Sequence, residues 1–237
     1  MWRDVVDIRD FYQSPLGQTA RRVIQRELRR QWSDVKGQAI LGLGYVTPYL
    51  SLFKSEAMRT IAAMPARQGV LHWPKDAPGL TTLVDELDLP FGDMAFDRVL
   101  IVHALEYAEQ VRPLLREIWR VLNGSGRLIV IVPNRRGLWA RFERTPFGHG
   151  LPYSTRQLSQ TLRENLFTPL GIERALFAPP LKSIMIQSLS APFEEIGARA
   201  FNTFGGVIIS ESVKQIYAAP PVREFSPIRS YLPIPNQ

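Results

Sequence analysis

Short apolar runs alternate along the chain with longer segments whose apolar residues recur every three or four positions. The runs lie in "QAILGLGY", "RTIAAMP", "RVLIVHAL" and "RLIVIVP", and they predict buried strands. The clearest periodic segment is "EQVRPLLREIWRVLNGSGR", which predicts a helix that ends at Asn123, Gly124 and Gly126. Strands that alternate with helices from residue 38 to 133 predict βαβ units and a mostly parallel sheet with helices on both faces.

The first 36 residues predict a helical extension packed on this core. Within it, residues 1–14 are polar and aromatic and show no clear period. In "SPLGQTARRVIQRELRRQW", Ser14 is a suitable N-cap and Pro15 suits the first helical position. The segment carries an apolar stripe at Ala20, Val23, Ile24, Leu28 and Trp32, and Lys36–Gly37 is expected to stop the helix.

The remaining elements are weaker. "YLSLFKSE" predicts a short helix, "TTLV" a short strand or a loop, and "NRRGLWARFERTPFGHGLPYS" a long loop. The rest of the chain predicts a capped helix over "STRQLSQTLREN", a strand in "GIERALFAPP", a short helix over "APFEEIGARAFNTF" and a last strand in "GGVIISESVKQIYA". Residues 37–219 are therefore predicted as one α/β domain, and the proline-rich residues 220–237 as an extended or disordered tail.

Charge adds two interpretations of the surface. The 29 Lys and Arg residues exceed the 22 Asp and Glu residues, which gives a net charge of +7. Such a chain can bind nucleic acid or anionic membrane, or it can carry arginines spread over a solvated surface. Because no long Lys/Arg block and no aromatic platform for bases are visible, a nucleic-acid-binding function ranks last.

Several classes of protein and site are excluded. No apolar run is long enough to span a membrane, and the acidic start is unlike a secretory signal, so a cytoplasmic location is predicted. The chain has no cysteine, and its histidines, His72, His103 and His149, show no metal-ligand spacing, so no metal site is expected. "GLGYVTP" lacks the Gly-Lys-Ser/Thr ending of a P-loop.

The middle of the chain resembles a known family. "DELDLPFGDMAFDRVLIVHALEYAEQVRPLLREIWRVLNGSGRLIVIVPN" is similar to the class I S-adenosylmethionine-dependent methyltransferases, methyltransferase type 11. The resemblance implies a Rossmann-like, doubly wound α/β fold with a seven-stranded sheet, and S-adenosylmethionine as the cofactor. "GLWARFERTPFGHGLPYS" resembles a loop of a bacterial branch often encoded beside glyoxalase II, which suggests that enzyme as a partner.

The same resemblance shows an altered cofactor loop. The family places an acid and three glycines after the first strand; here the acid position falls on Gly42 and the glycine positions on Gly44, Val46 and Pro48. Tyr45 lies within this loop. The second family acid, which holds the ribose hydroxyls, falls near Met64. One glycine therefore remains and both acids are absent.

Further site residues are implied on the carboxyl side of the sheet. Asp85 and Glu86 match the turn that contacts adenine, with Leu87 as a wall, and a solvated acidic turn is the alternative. His103 ends a strand where the family keeps the methionine end and the reacting methyl group of the cofactor, and it is a base, a substrate contact or a packing histidine. Candidates for the substrate pocket are Tyr107, Asn134, Trp139, His149 and Tyr153, and the alternative is a loop that packs its aromatic residues on the sheet.

Two functions are compatible with these residues. The chain is either a methyltransferase with a non-standard cofactor loop and an unknown acceptor, or a methyltransferase fold without activity. In the second case it acts as a binding or regulatory subunit of a metabolic enzyme, with glyoxalase II as one possibility. The family resemblance favours the enzyme, and the missing acids favour the second function.

Overall fold

A seven-stranded sheet forms the centre of the protein, whose structure is a computed structural model. The structure describes residues 4–180, 194, 197 and 202–216. The strands are Ala39–Gly44 (β1), Arg59–Pro65 (β2), Thr81–Val84 (β3), Phe96–Val102 (β4), Leu122–Pro133 (β5), Phe167–Ala175 (β6) and Val207–Lys214 (β7). Their order is β3-β2-β1-β4-β5-β7-β6, and β7 runs antiparallel to both of its neighbours.

The central strands are apolar because both of their faces are covered. Every residue of β1 is buried, and so are the last four of β4 and the last six of β5. Continuous apolar runs of this kind are typical of parallel strands that are buried on both sides. The Rossmann-like α/β fold with a mostly parallel, seven-stranded sheet is therefore confirmed.

Helices lie on both faces of the sheet. In the described part they are Val5–Gln13 (α1), Pro15–Gln31 (α2), Thr47–Leu50 (α3), Val111–Val121 (α4) and Thr155–Glu164 (α5). The buried hydrophobic residues of α1, α2 and α3 belong to one apolar cluster, and those of α4 and α5 belong to another. None of the described helices is long and apolar enough to cross a membrane.

The structure differs from the sequence prediction at several element ends. Residues 1–14 show no clear period in the sequence, yet α1 forms there, capped by the Asp4 side chain, which accepts from the Val6 amide. Helix α2 ends at Gln31, well before Lys36. Helix α3 is one turn long, and α4 ends at Val121 because β5 already begins at Leu122.

Two predictions fall on residues that the structure does not describe. The proline-rich tail, residues 220–237, lies outside the described residues. So does most of the short helix expected over "APFEEIGARAFNTF". The domain boundaries proposed from the sequence stay predictions.

Candidate functional site

The carboxyl ends of β1, β2 and β4 meet at one edge of the sheet, which is where open α/β sheets bind their ligands. Gly44 ends β1 with φ +91°, a backbone conformation that residues with a side chain rarely adopt. A Cβ atom at this position would lie 2.2 Å from the Val102 carbonyl oxygen. Gly44 is therefore required for the close approach of β1 to the end of β4.

The space beside Gly42 is already filled. A Cβ atom at Gly42 would lie 2.4 Å from Val46 Cγ2 and 2.8 Å from Leu50 Cδ1. Val46 itself has φ −106° and ψ −9°, an ordinary helical geometry, and it is fully buried. Val46 therefore causes no backbone strain, and its side chain occupies the volume that an acid at position 42 would need.

Met64, near the end of β2, also has no free space. Its side chain is fully buried. Its sulfur accepts a hydrogen bond from the Leu71 amide at 3.4 Å. A thioether is a weak acceptor and carries no charge, so this position offers no counterpart to the carboxylate that the family uses for the ribose.

The Gln68 side chain reaches across the carboxyl edge of the sheet. The sequence did not predict this residue as part of the site. Its side-chain amide donates to the His103 carbonyl at 2.9 Å, and its backbone carbonyl accepts from the Val5 amide at 2.9 Å. Gln68 follows β2, and its partner His103 follows β4. Because β1 lies between these two strands, the Gln68 side chain must cross the end of β1. Gln68 is 1% exposed. A glutamine in a loop gives no sequence signal for this contact.

His103 is the centre of a buried hydrogen-bond network. It has φ +54° and is fully buried. Its Nε2 is hydrogen-bonded to the Tyr12 hydroxyl at 2.9 Å, and its Nδ1 lies 3.3 Å from the Glu106 carboxylate. The Tyr12 and Tyr49 hydroxyl oxygens are 2.6 Å apart. Burial raises the pKa of both phenols above the ordinary value, so both stay protonated at neutral pH.

Aromatic rings complete this network; we call Tyr12, Tyr45, Tyr49, His103 and Phe147 the aromatic cluster. Tyr12 and Tyr45 stack with ring centres 5.7 Å apart, and the His103 and Phe147 rings are 4.9 Å apart. None of the five is more than 5% exposed. Residues from α1, from the loop after β1, from the end of β4 and from the long loop after β5 thus fill the carboxyl edge together.

Asp85, Glu86 and Leu87 form a separate turn after β3. The exposed Asp85 carboxylate accepts from the Leu87 amide at 2.9 Å. Glu86 is 9% exposed, and Leu87 packs partly buried against the α4–α5 cluster. The turn is therefore stabilised by its own side chain, and it leaves one carboxylate at the surface.

The predicted pocket residues each have structural contacts. The Tyr107 hydroxyl donates to the Pro146 carbonyl at 3.0 Å, and the Asn134 amide donates to the Gly205 carbonyl at 2.6 Å. Trp139 Nε1 donates to the Ala178 carbonyl at 2.8 Å, and His149 Nε2 lies 2.5 Å from the Glu143 carbonyl oxygen. Burial raises the pKa of Tyr153 to about 12.

The structure brings only part of the predicted set together. Tyr45 and His103 lie in the aromatic cluster, and Trp139 packs against its Phe147. The Asp85 turn lies outside the cluster. Within the described ranges, no group of three or more histidine or acidic residues is arranged to hold a metal ion. The roles proposed for these residues from the sequence stay predictions.

Comparisons with known proteins agree with the fold. A methyltransferase-domain model matches residues 41–130. The demethylmenaquinone methyltransferase of Corynebacterium glutamicum is 32% identical over 108 residues, which are 45% of this chain and only 47% of that protein. The Streptomyces avermitilis enzyme of the same name is 27% identical over 211 residues, 88% of this chain and 90% of that protein.

A solved structure shows the same architecture. It is a methyltransferase of Thermotoga maritima, described as a possible histamine N-methyltransferase, with a TM-score of 0.60 and 15% identity. The match covers 89% of this chain and 96% of that chain. At this identity the likeness supports the fold, and the acceptor of that protein says nothing about this one.

Proposed function

The chain is a relative of the class I S-adenosylmethionine-dependent methyltransferases, and on that premise we propose that it is a methyltransferase-like protein that does not hold S-adenosylmethionine in the family position. The bond from Gln68 to the His103 carbonyl carries this proposal. It crosses the cleft where the family binds its cofactor, and it uses a backbone acceptor at the end of β4.

The residues at this edge do not fit the cofactor. Gly42 and Met64 stand where the family has acids, and a hydrogen bond to a charged group contributes roughly 1.5–3 kcal/mol. Val46 packs against Gly42, and the aromatic cluster is buried at the same edge. Such an arrangement lacks both carboxylates of the family site and leaves no room for an acid at position 42.

A non-catalytic protein of this fold acts through what it binds. We propose a binding or regulatory subunit of a metabolic enzyme, with glyoxalase II as one candidate partner. Size-exclusion chromatography of the two purified proteins, alone and mixed, tests that pairing. Co-elution supports it, and independent elution at micromolar concentrations removes glyoxalase II from consideration.

Calorimetric titration with S-adenosylmethionine and S-adenosylhomocysteine tests the main proposal. The protein is first dialysed exhaustively, and circular dichroism confirms that it is folded. We expect no heat of binding at millimolar ligand. Micromolar binding that weakens in Asp85→Ala, but not in the matched surface variant Asp93→Ala, would contradict the proposal.

Cofactor-dependent methyl transfer after the cleft opens is the second candidate. Two buried acceptors beside His103, Gln68 Oε1 and Glu106 Oε2, have no hydrogen-bond partner. Such atoms are costly unless a donor reaches them, and a ligand amine or hydroxyl group is one possible donor. This candidate requires that the wild type binds S-adenosylmethionine. It also requires that Tyr12→Ala, which removes one ring from the aromatic cluster, binds this cofactor more tightly. If neither protein binds, this candidate is wrong.

A further inference from the structure

The long loop after β5 has two chemically different sides. We define residues 134–151 as the arginine loop. Its buried side contains Trp139, Thr145 and Phe147, each at most 3% exposed. These residues face the carboxyl edge of the sheet, since Phe147 packs on His103 and Trp139 packs on Phe147. The exposed residues of the loop therefore project away from that edge.

The loop is fixed along its length. Gly137 packs so closely on the backbone of residues 205 and 206 that a Cβ atom would lie 2.5 Å from the Gly205 oxygen. The Leu151 amide donates to the Glu106 carbonyl at 2.7 Å. The Arg135 guanidinium donates to the Pro152 carbonyl at 3.1 Å. A loop anchored in this way presents its exposed side chains in a defined arrangement.

That exposed side is cationic and also apolar. It carries four arginines against one glutamate, Glu143; the arginines are Arg135, Arg136, Arg141 and Arg144. Between and beside them, Leu138 is 44% exposed and Leu151 is 70% exposed. The arginines lie within ten positions of the chain, so their charges add at distances comparable with the screening length of about 10 Å.

We propose that the arginine loop binds the surface of an anionic phospholipid bilayer. Guanidinium groups pair with lipid phosphates, and leucine side chains enter the boundary between headgroups and acyl chains. A nucleic acid would satisfy the arginines and leave both leucines without a favourable environment. It would also need exposed rings for base stacking, whereas Trp139 and Phe147 are turned inward.

Vesicle co-sedimentation with the full chain tests this proposal. Vesicles are made from phosphatidylcholine alone and from an equimolar mixture with phosphatidylglycerol. We expect binding to the mixed vesicles only, and weaker binding as sodium chloride is added. No binding to the mixed vesicles at low salt would overturn the proposal.

Charge variants locate the binding surface. Replacing Arg136, Arg141 and Arg144 together by Gln should weaken binding on the order of 100-fold, at about fivefold for each arginine near an anionic surface. The matched control replaces the exposed Arg116, Arg156 and Arg163 of α4 and α5 by Gln, with the same loss of charge. Equal weakening in both variants would mean that net charge alone binds lipid, and the loop would then have no special role.

Variants of the two exposed leucines distinguish binding to lipid from binding to nucleic acid. The double variant Leu138→Ser with Leu151→Ser should weaken vesicle binding on the order of tenfold, because the apolar insertion is lost. Circular dichroism checks that each variant is folded. If wild-type protein binds single-stranded RNA as tightly as it binds vesicles, and the leucine variant binds both unchanged, the loop recognises phosphates of nucleic acid and the lipid proposal is wrong.

Discussion

The two halves of the parallel sheet differ in the segment that connects each strand to the next. After β4, the chain makes the amphipathic helix α4, which buries Leu114, Leu115 and Ile118 before β5 begins. After β2, the chain makes turns and a loop up to β3, and this loop delivers Gln68 across the cleft. In the β4–α4–β5 half, the buried side of α4 packs against the sheet in one apolar cluster. In the β1–β2 half, the protein's own side chains fill the carboxyl edge of the sheet.

The largest loss of stability is expected when an acid is placed at position 42, where the family has its first acid. Gly42→Asp places a carboxylate against Val46 and Leu50 in a fully buried strand. We expect a loss of at least about 4 kcal/mol in the free energy of unfolding, from overpacking and from a buried, unpaired charge. Urea denaturation measures it. Gly92→Ala, where a Cβ atom has no neighbour within 4 Å, is the control and should change little.

The combination with Val46→Gly sharpens that test. Removing the valine side chain frees the volume into which the aspartate must fit. The double variant should lose less stability than the sum of the losses in the two single variants. A loss equal to that sum would show that Val46 is not what excludes the acid.

The dependence of stability on alkaline pH should reveal the buried phenols of Tyr12 and Tyr49. The pKa values of Tyr12 and Tyr49 are raised by burial, while the unfolded chain ionises near pH 10. Their contribution to stability is therefore fully present below about pH 10 and is lost as pH rises above it. The loss is about 1.4 kcal/mol per pH unit for each tyrosine.

Urea denaturation at a series of alkaline pH values, with tyrosinate absorbance as a second signal, measures this slope. The double variant Tyr12→Phe with Tyr49→Phe should show a slope smaller by about 3 kcal/mol per pH unit. Tyr153, whose pKa is raised to about 12, lies beyond β5 and retains its own contribution. An unchanged slope in the double variant would mean that the two phenols are open to solvent.

A double-mutant cycle at neutral pH should detect the bond between Tyr12 and Tyr49. Tyr12→Phe leaves the buried Tyr49 hydroxyl without its 2.6 Å contact and should cost about 1–3 kcal/mol. Tyr49→Phe should cost about 1 kcal/mol, because the Tyr12 hydroxyl keeps its bond to His103. The coupling energy from the cycle should be about 1 kcal/mol. A coupling near zero would indicate that the hydroxyls satisfy each other poorly. His103→Ala, which removes the third member, should reduce the coupling.

The smallest effect is expected at the Asp85 turn. Asp85→Ala removes one exposed hydrogen bond to the Leu87 amide and should change the unfolding free energy by about 0.5 kcal/mol. Thermal unfolding with and without S-adenosylhomocysteine measures this change. The ligand should shift neither protein's transition. A ligand-induced rise in the wild type that is absent in the variant would restore a cofactor role to this turn.

Sequence reasoning succeeded where periodicity alone decides the structure. The runs of β1, β4 and β5 and the stripe of α4 predicted the sheet and its covering. The missed helix α1 did carry a weak signal, because Val5, Ile8 and Tyr12 lie on one face and Asp4 is a suitable cap. A nine-residue helix with many polar residues is too short for that signal to stand out.

The packing at the carboxyl edge of the sheet was harder to predict. The absent acids were visible in the sequence, but what replaces them depends on tertiary contacts. Gln68, Tyr12 and His103 are far apart in the chain, and no spacing rule relates them. Asn123, Gly124 and Gly126 were expected to end α4, yet they lie within β5, since a long strand can begin directly at a helix end.

The contact between Tyr12 and His103 also has a consequence for biosynthesis. The two residues are 91 positions apart, so α1 leaves the ribosome well before its partner is made. At about 5–20 residues per second, the delay is roughly 5–20 s. During that interval Tyr12 has no His103 side chain to bond. Nascent chains stalled before residue 103 emerges should therefore expose α1 to protease, and those stalled after Phe147 emerges should protect it. Equal protection in both would mean that α1 docks independently of His103.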